Sequence, residues 1–408
     1  MFRRRFLPLP ANSHTVALAS LVAFGTQVVF ALLMLRLFSP QAVGEFSLLS
    51  QIGFFWMTLA LAQAPLSLLA NAGVPAHQAL RDAWRSSLQR GVWLLPVAAL
   101  AVWLSGLATL SALVWVLLLA LSQMAWTLAQ SFTLRAGTRA QQAAVRVLPP
   151  LTAALAALAG AWVQASGPTL VASAVLGYTV GAVWLLPAWW PAQVVAPRDT
   201  FTPSGEWQPA SDPRSTRLRF AHTLADALLA TSVVVVWQRL YGAQDTGWLT
   251  ALLRVLGFVP ALVHMAWAQV VLAQGEPHSS ARPASRTAWM MGLGAAACVA
   301  ALSWVCALAL DWGWLDARWS GVLAYVLPVA LWQAGACVLA AFSHRPFQTQ
   351  AAVRYSWACL ALTGVQAVVL WWPVLFSSSL DATQHITAFA GVSGVGLLAL
   401  SLWLARLR

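Results

Sequence analysis

Residues 36–44 read Arg36-Leu37-Phe38-Ser39-Pro40-Gln41-Ala42-Val43-Gly44, and residues 239–247 read Arg239-Leu240-Tyr241-Gly242-Ala243-Gln244-Asp245-Thr246-Gly247. Arginine, leucine, an aromatic ring, glutamine and glycine recur at an offset of 203. Each copy follows an apolar segment. Gln142-Ala143-Ala144-Val145-Arg146 likewise returns as Gln350-Ala351-Ala352-Val353-Arg354, at an offset of 208. Arg81 and Arg85 return as Arg282 and Arg286, at an offset of 201. Three matches in one order at a nearly constant offset mark an internal duplication, and 408 residues hold two such units. In a membrane chain, duplication is the usual sign of a transporter built from two halves around a midplane site.

The composition places the chain in a membrane. It is 60% hydrophobic and 8% charged, against about 25% charged in soluble proteins. All 23 basic residues are arginine and the formal charge is +12. That charge does not imply nucleic acid, because the arginines sit in short loops between apolar segments. Cys298, Cys306, Cys337 and Cys359 lie inside apolar segments without metal-ligand spacing. They read as small buried residues, and neither metal nor cofactor is expected. Arg3-Arg4-Arg5-Phe6-Leu7 matches a twin-arginine export signal. The apolar stretch behind it is too long for a signal and lacks a small-residue cleavage site, so it reads as the basic flank of a first membrane helix.

Twelve apolar spans are expected at 14–35, 44–70, 88–107, 110–134, 147–166, 169–190, 220–240, 247–274, 288–310, 319–342, 352–375 and 385–405. Each is long enough to cross a hydrocarbon core of about 30 Å as a helix. The alternation of a membrane β-barrel is absent. Twelve crossings put both termini on one side. Arg36, Arg239 and Arg318 fall on one face and Arg254 inside span eight; the other 19 of the 23 arginines share the opposite face, which the positive-inside rule makes cytoplasmic. Many of the 24 tryptophans flank the spans as interfacial anchors. The expected fold is an all-α membrane protein with two six-helix bundles, residues 1–190 and 220–408. A proline-rich cytoplasmic linker, 191–219, joins them. Spans one and seven both leave the cytoplasm, so the repeat is parallel.

No catalytic constellation appears: no phosphate-binding glycine loop, nucleophile elbow or paired carboxylates at helical spacing. His77, His278 and His344 fall in cytoplasmic loops, where solvated side chains are the norm. An enzyme is not expected. The informative residues are polar ones inside spans. In span eight, Thr250, Arg254, Gly257, Ala261, His264 and Ala268 follow steps of 4, 3, 4, 3 and 4, one helix face. A charge near the bilayer centre costs about 2.5–3.5 kcal/mol, so Arg254 should face protein or water. The 203-residue offset maps this face onto Ser47, Gln51, Phe54, Thr58, Leu61 and Pro65 of span two. The residues taken as lining a substrate cavity are Arg254, Gln51, His264, Thr250 and Thr58, with Arg36 and Arg239 at the periplasmic rim. Small and hydroxylated residues also serve plain helix packing. In span seven, His222 and Asp226 lie one turn apart, and Asp226 is a candidate coupling group. Pro65, Pro96, Pro187, Pro260 and Pro328 mark kinks within spans.

The junction Arg36–Leu48 resembles that between the first two helices of Wzx-type polysaccharide flippases, members of the multidrug/oligosaccharidyl-lipid/polysaccharide exporter superfamily. Tyr241–Gly247, running into Arg254 and Pro260, resembles the junction of their helices seven and eight. The resemblance implies a V-shaped pair of bundles in the bacterial inner membrane. It implies export of a lipid-linked oligosaccharide, on a polyprenyl pyrophosphate carrier, for surface polysaccharide or lipopolysaccharide biosynthesis. Expected partners are that substrate, membrane lipids, H+ or Na+ as coupling ion, and other polysaccharide assembly proteins. The chain departs from the basic cavities of that family, since only Arg254 is clearly inside a span. A multidrug antiporter of the same superfamily shares the fold but needs cavity carboxylates for cations. A membrane polysaccharide polymerase or glycosyltransferase needs a large extracytoplasmic loop or an acidic motif, and neither is present.

Overall fold

The structure is a computed structural model and describes residues 11–62, 64–70, 74–107, 109–185, 213–264, 267, 281–349, 351–376 and 380–407. The arginine triplet at 3–5, most of the linker (191–212), Pro187, His278 and Ala268 lie outside these. Among the described residues there is helix and no strand.

In chain order the helices are α1 (Ala11–Leu37), α2 (Pro40–Leu61), α3 (Ala64–Ala70), α4 (Ala76–Trp93), α5 (Leu95–Leu104), α6 (Leu110–Ala136), α7 (Arg139–Val163) and α8 (Gly167–Ala182). They continue as α9 (Pro213–Val263), α10 (Ala281–Asp311), α11 (Leu323–Phe342), α12 (Arg345–Gln348), α13 (Ala352–Phe376) and α14 (Ala382–Arg406). Seven described stretches are long and apolar enough to cross a membrane, and the pair α4–α5 makes an eighth if its 48° bend is one broken span. The chain is a multi-pass membrane protein. The other expected spans fall on α1, on α2 with α3, on α8 and on the second half of α9.

Local sequence explains most boundaries. Thr138 and Gln141 form a capping box that starts α7, and Asp381 and Gln384 form one that starts α14. The α4–α5 bend falls just before Pro96, whose ring cannot continue the α4 hydrogen-bond ladder. Pro65 lies in the first turn of α3, after a break at Ala62 with φ 46°. Phe220–Val263 is 44 residues of apolar sequence, which as one straight helix would run about 66 Å at 1.5 Å per residue, twice the hydrocarbon thickness. Gly242 resolves the excess. It adopts φ 83° and ψ −178° inside α9, a corner that L side chains resist, and so divides one helix into two span-length arms.

The chain forms two compact units, Met1–Phe38 with Leu48–Ser204, and Ser39–Ser47 with Gly205–Arg408. In the first, α7 packs on α1 and α8, and α6 packs on α8 and α3. In the second, α11 packs on α14, α10 and α9, and α9 also packs on α13. The second unit's core gathers Trp237, Leu249, Leu256, Val299, Val329 and Phe389. Lipid is as apolar as these side chains, so close packing and buried hydrogen bonds must hold the helices together.

Arginine supplies part of that hold. Arg90 donates to the Ala60 and Leu61 carbonyls at the end of α2, at 2.8 and 3.1 Å. Arg135 donates to Leu68 on α3 at 2.7 Å and to the Val74 carbonyl. Arg345 donates to Ala405 and Leu407 at the end of α14, at 3.1 and 2.6 Å. Each guanidinium satisfies carbonyls that a helix end leaves without intrahelical partners. Residues that read as mere topology signals are therefore helix caps as well. His344, expected in solvent, is 2% exposed. It sits beside Arg345, with its ring edge to Trp267 at 6.3 Å.

Candidate functional site

Within the second unit, residues 40–44 of the first quoted stretch meet residues 243–247 of the other. Gln41 Nε2 donates to Gln244 Oε1 at 3.2 Å. A Cβ on Gly44 would strike the Ala243 carbonyl and approach Gly247 N at 2.9 Å. A Cβ on Gly247 would strike the Pro40 carbonyl and approach Pro40 Cα at 3.0 Å. The offset of 203 takes Pro40 to Ala243, Gln41 to Gln244 and Gly44 to Gly247. Residue i thus touches j as j's counterpart touches i's, the reciprocity of a twofold contact. Both glycines are present because the two backbones approach too closely for any side chain.

One to two turns further, Arg254 Nη2 donates to Ser47 Oγ at 3.2 Å, and its guanidinium carbon lies 4.9 Å from the centre of the Phe46 ring. A hydroxyl and an aromatic face stabilise a cation without neutralising it. Arg254 is half-buried, whereas Ser47 is buried. The mapping by offset placed Ser47 on the polar face of span two but did not single out Phe46.

The remaining cavity candidates divide. Thr250 is buried, and its hydroxyl returns to the Thr246 carbonyl of its own helix at 2.7 Å. Gln51 and Thr58 are half-buried in the first unit. His264 is exposed and pairs through Nδ1 with Ser343 Oγ, just beyond α11, at 3.1 Å. It lies about four turns beyond Thr250. Arg36 and Arg239 are exposed.

The coupling candidates do meet. His222 Nε2 lies 3.0 Å from Asp226 Oδ2, and Thr363 on α13 donates to the other carboxylate oxygen at 3.1 Å. Tyr355 on α13 presents its edge to His222, ring centres 6.0 Å apart. The carboxylate side chain is 54% exposed and the imidazole 19%. Asp226 is therefore held in place yet reachable, as a group that exchanges an ion must be.

A second polar cluster was not anticipated. Tyr325 on α11 donates to Asp245 Oδ1 at 2.6 Å, and Trp237 Nε1 donates to the Tyr325 hydroxyl at 3.4 Å. Trp237 also stacks on His385, centres 4.7 Å apart. Asp245 stood in the repeated stretch, but a lone histidine at the start of span twelve carried no signal. The first unit also holds a cavity of about 180 Å³ lined by Trp56, Met57, Leu88, Val92, Leu117 and Met124 among others, all apolar. No group of three or more histidine, cysteine or acidic residues among the described residues is arranged to hold a metal ion.

Over 98% of its length the chain aligns with the inward-facing structure of a multidrug resistance transporter of the MATE family, from the MOP superfamily. The alignment covers 95% of that chain, at 11% sequence identity and a TM-score of 0.47. No protein-family model matches the chain, and no curated protein matches it in sequence.

Proposed function

We propose that this protein flips a lipid-linked oligosaccharide, a polyprenyl-pyrophosphate-linked glycan, across the bacterial inner membrane by alternating access. In this reading the chain crosses twelve times, both termini are cytoplasmic, and two six-helix halves are related by a parallel repeat. The reciprocal contact of 40–44 with 243–247 supports the repeat.

The observation that carries the function is Arg254. A guanidinium inside an apolar span needs a reason to be there, because its insertion costs about 2.5–3.5 kcal/mol. A guanidinium offers parallel N–H donors that match two phosphate oxygens. Pyrophosphate is the doubly acidic group of the proposed substrate. The glycan follows it through a hydrated path while the polyprenyl tail stays in lipid. Asp226, oriented by His222 and Thr363, is the proposed coupling group, exchanging H+ or Na+ to reset the cycle.

Complementation of a flippase-deficient strain tests this reading. Arg254→Ala should abolish surface glycan display at wild-type protein levels, with partial recovery in Arg254→Lys. Normal display in Arg254→Ala would remove the residue from the mechanism.

A further inference from the structure

The corner of α9 is gripped by a buried imidazole that the transport reading does not use. His385, in the first turn of α14, has no exposed surface. Its Nε2 lies 3.2 Å from the Val369 carbonyl of α13, and its Nδ1 lies 3.0 Å from the Tyr241 hydroxyl of α9. A carbonyl only accepts, so Nε2 carries hydrogen whether the ring is neutral or charged. When the ring is neutral, Nδ1 accepts the tyrosine hydrogen. When it is protonated, Nδ1–H donates to the tyrosine oxygen, and the tyrosine hydrogen turns to the Leu380 carbonyl 3.4 Å away. Every polar atom keeps a partner in both states, and only one hydroxyl rotates.

Burial disfavours a charged ring, and one contact offsets part of that cost. Trp237 lies flat on the imidazole at an interplanar angle of 21°, offering its π face. The carboxylates acting on Tyr241 are Asp381, at the N-cap of α14, and Asp245, one turn along α9. From α11 comes Tyr325, bonded to Asp245, and α13 presents the Val369 carbonyl.

The position gives the proton something to act on. Tyr241 immediately precedes Gly242, the φ 83° corner. The next turn carries Gln244 and Gly247, which pack against Gln41 and Pro40. We propose that His385 is a proton-binding site, and that its charge state sets how firmly the α9 corner is held. The inference goes beyond the transport reading and is independent of any substrate.

Histidine-15N spectra of the full-length protein in nanodiscs test it, with His385→Gln assigning the signal. On acidification the His385 resonances should pass reversibly from the Nε2–H tautomer to imidazolium while the fold persists. Tyr241→Phe, which removes the rotating hydroxyl and leaves the ring in place, should move that midpoint about one pH unit to the acid side, tenfold in proton affinity. Hydrogen exchange of amides 241–247 should change several-fold across the same titration in the wild type and stay flat in Tyr241→Phe. A His385 that remains neutral until the protein unfolds overturns the proposal. So does a midpoint unmoved by Tyr241→Phe, or exchange at 241–247 that ignores the titration.

Discussion

Gly44 and Gly247 face each other across one backbone crossing, each lying against the residue four positions upstream of the other. Gly44 meets Ala243 and Gly247 meets Pro40. The two similar stretches of sequence are therefore in contact with each other.

A methyl group at either glycine must displace a backbone carbonyl. Gly44→Ala or Gly247→Ala should cost about 1–3 kcal/mol, the range for overpacking a tight contact. Gly391→Ala, where a Cβ meets nothing within 4 Å, should be neutral. Thermal unfolding in detergent distinguishes these. Equal melting temperatures for all three variants would show that the crossing tolerates a side chain.

Arg345 should matter for stability rather than transport. It is 6% exposed and donates to two terminal carbonyls of α14. Arg345→Met leaves those carbonyls without their charged donor, a loss of about 1.5–3 kcal/mol. Hydrogen exchange should rise in the last turn of α14, with less change in its first turn. Uniform exchange along α14 would contradict the capping role.

His344 should make the protein acid-sensitive. Burial, and then the adjacent Arg345 charge, hold its imidazole below the ordinary histidine value of 6.5, against a backbone bond to Ala341 that raises it. Its Nδ1 is buried with no hydrogen-bond partner among the described residues. The unfolded chain then takes up a proton that the folded chain resists. Stability is unaffected well above 6.5 and falls as pH drops below it. His344→Gln should flatten the decline of melting temperature between roughly pH 6.5 and 5. A slope identical to wild type would exclude His344 as its source.

Asp226→Asn keeps the size of the side chain and removes its charge. Transport should lose most of its dependence on an imposed ion gradient, while substrate binding persists. Thr363→Val, which removes only the hydroxyl at 3.1 Å, should have a smaller effect in the same direction. An unchanged gradient dependence in Asp226→Asn would move coupling elsewhere.

Much of the helical architecture was legible because a membrane helix needs a long apolar run and little else. The His222–Asp226 contact was legible because i and i+4 share a face. Other features required distances. Arg90, Arg135 and Arg345 look like any loop arginine until the carbonyls they cap are located, since capping across elements leaves no local pattern. The polar face of span eight was drawn from helical periodicity alone. Periodicity cannot tell that Thr250 turns back on its own helix while His264 finds Ser343. The junction repeat was visible as sequence; that its two copies touch was not, because identity at a fixed offset carries no information on proximity. His385 was invisible for the same reason, its partners lying 16 and 144 residues away.

The central claim is that Arg254 serves the transbilayer movement of a polyprenyl-pyrophosphate-linked glycan. The direct measurement uses proteoliposomes loaded with that lipid, scoring how fast internal glycan becomes accessible to an externally added glycosidase. Wild-type protein should accelerate exposure well above protein-free vesicles, and Arg254→Ala should return it to the protein-free rate. No acceleration by the wild type, with gradient-driven movement of a cationic drug in the same vesicles, would contradict the account and favour a drug antiporter.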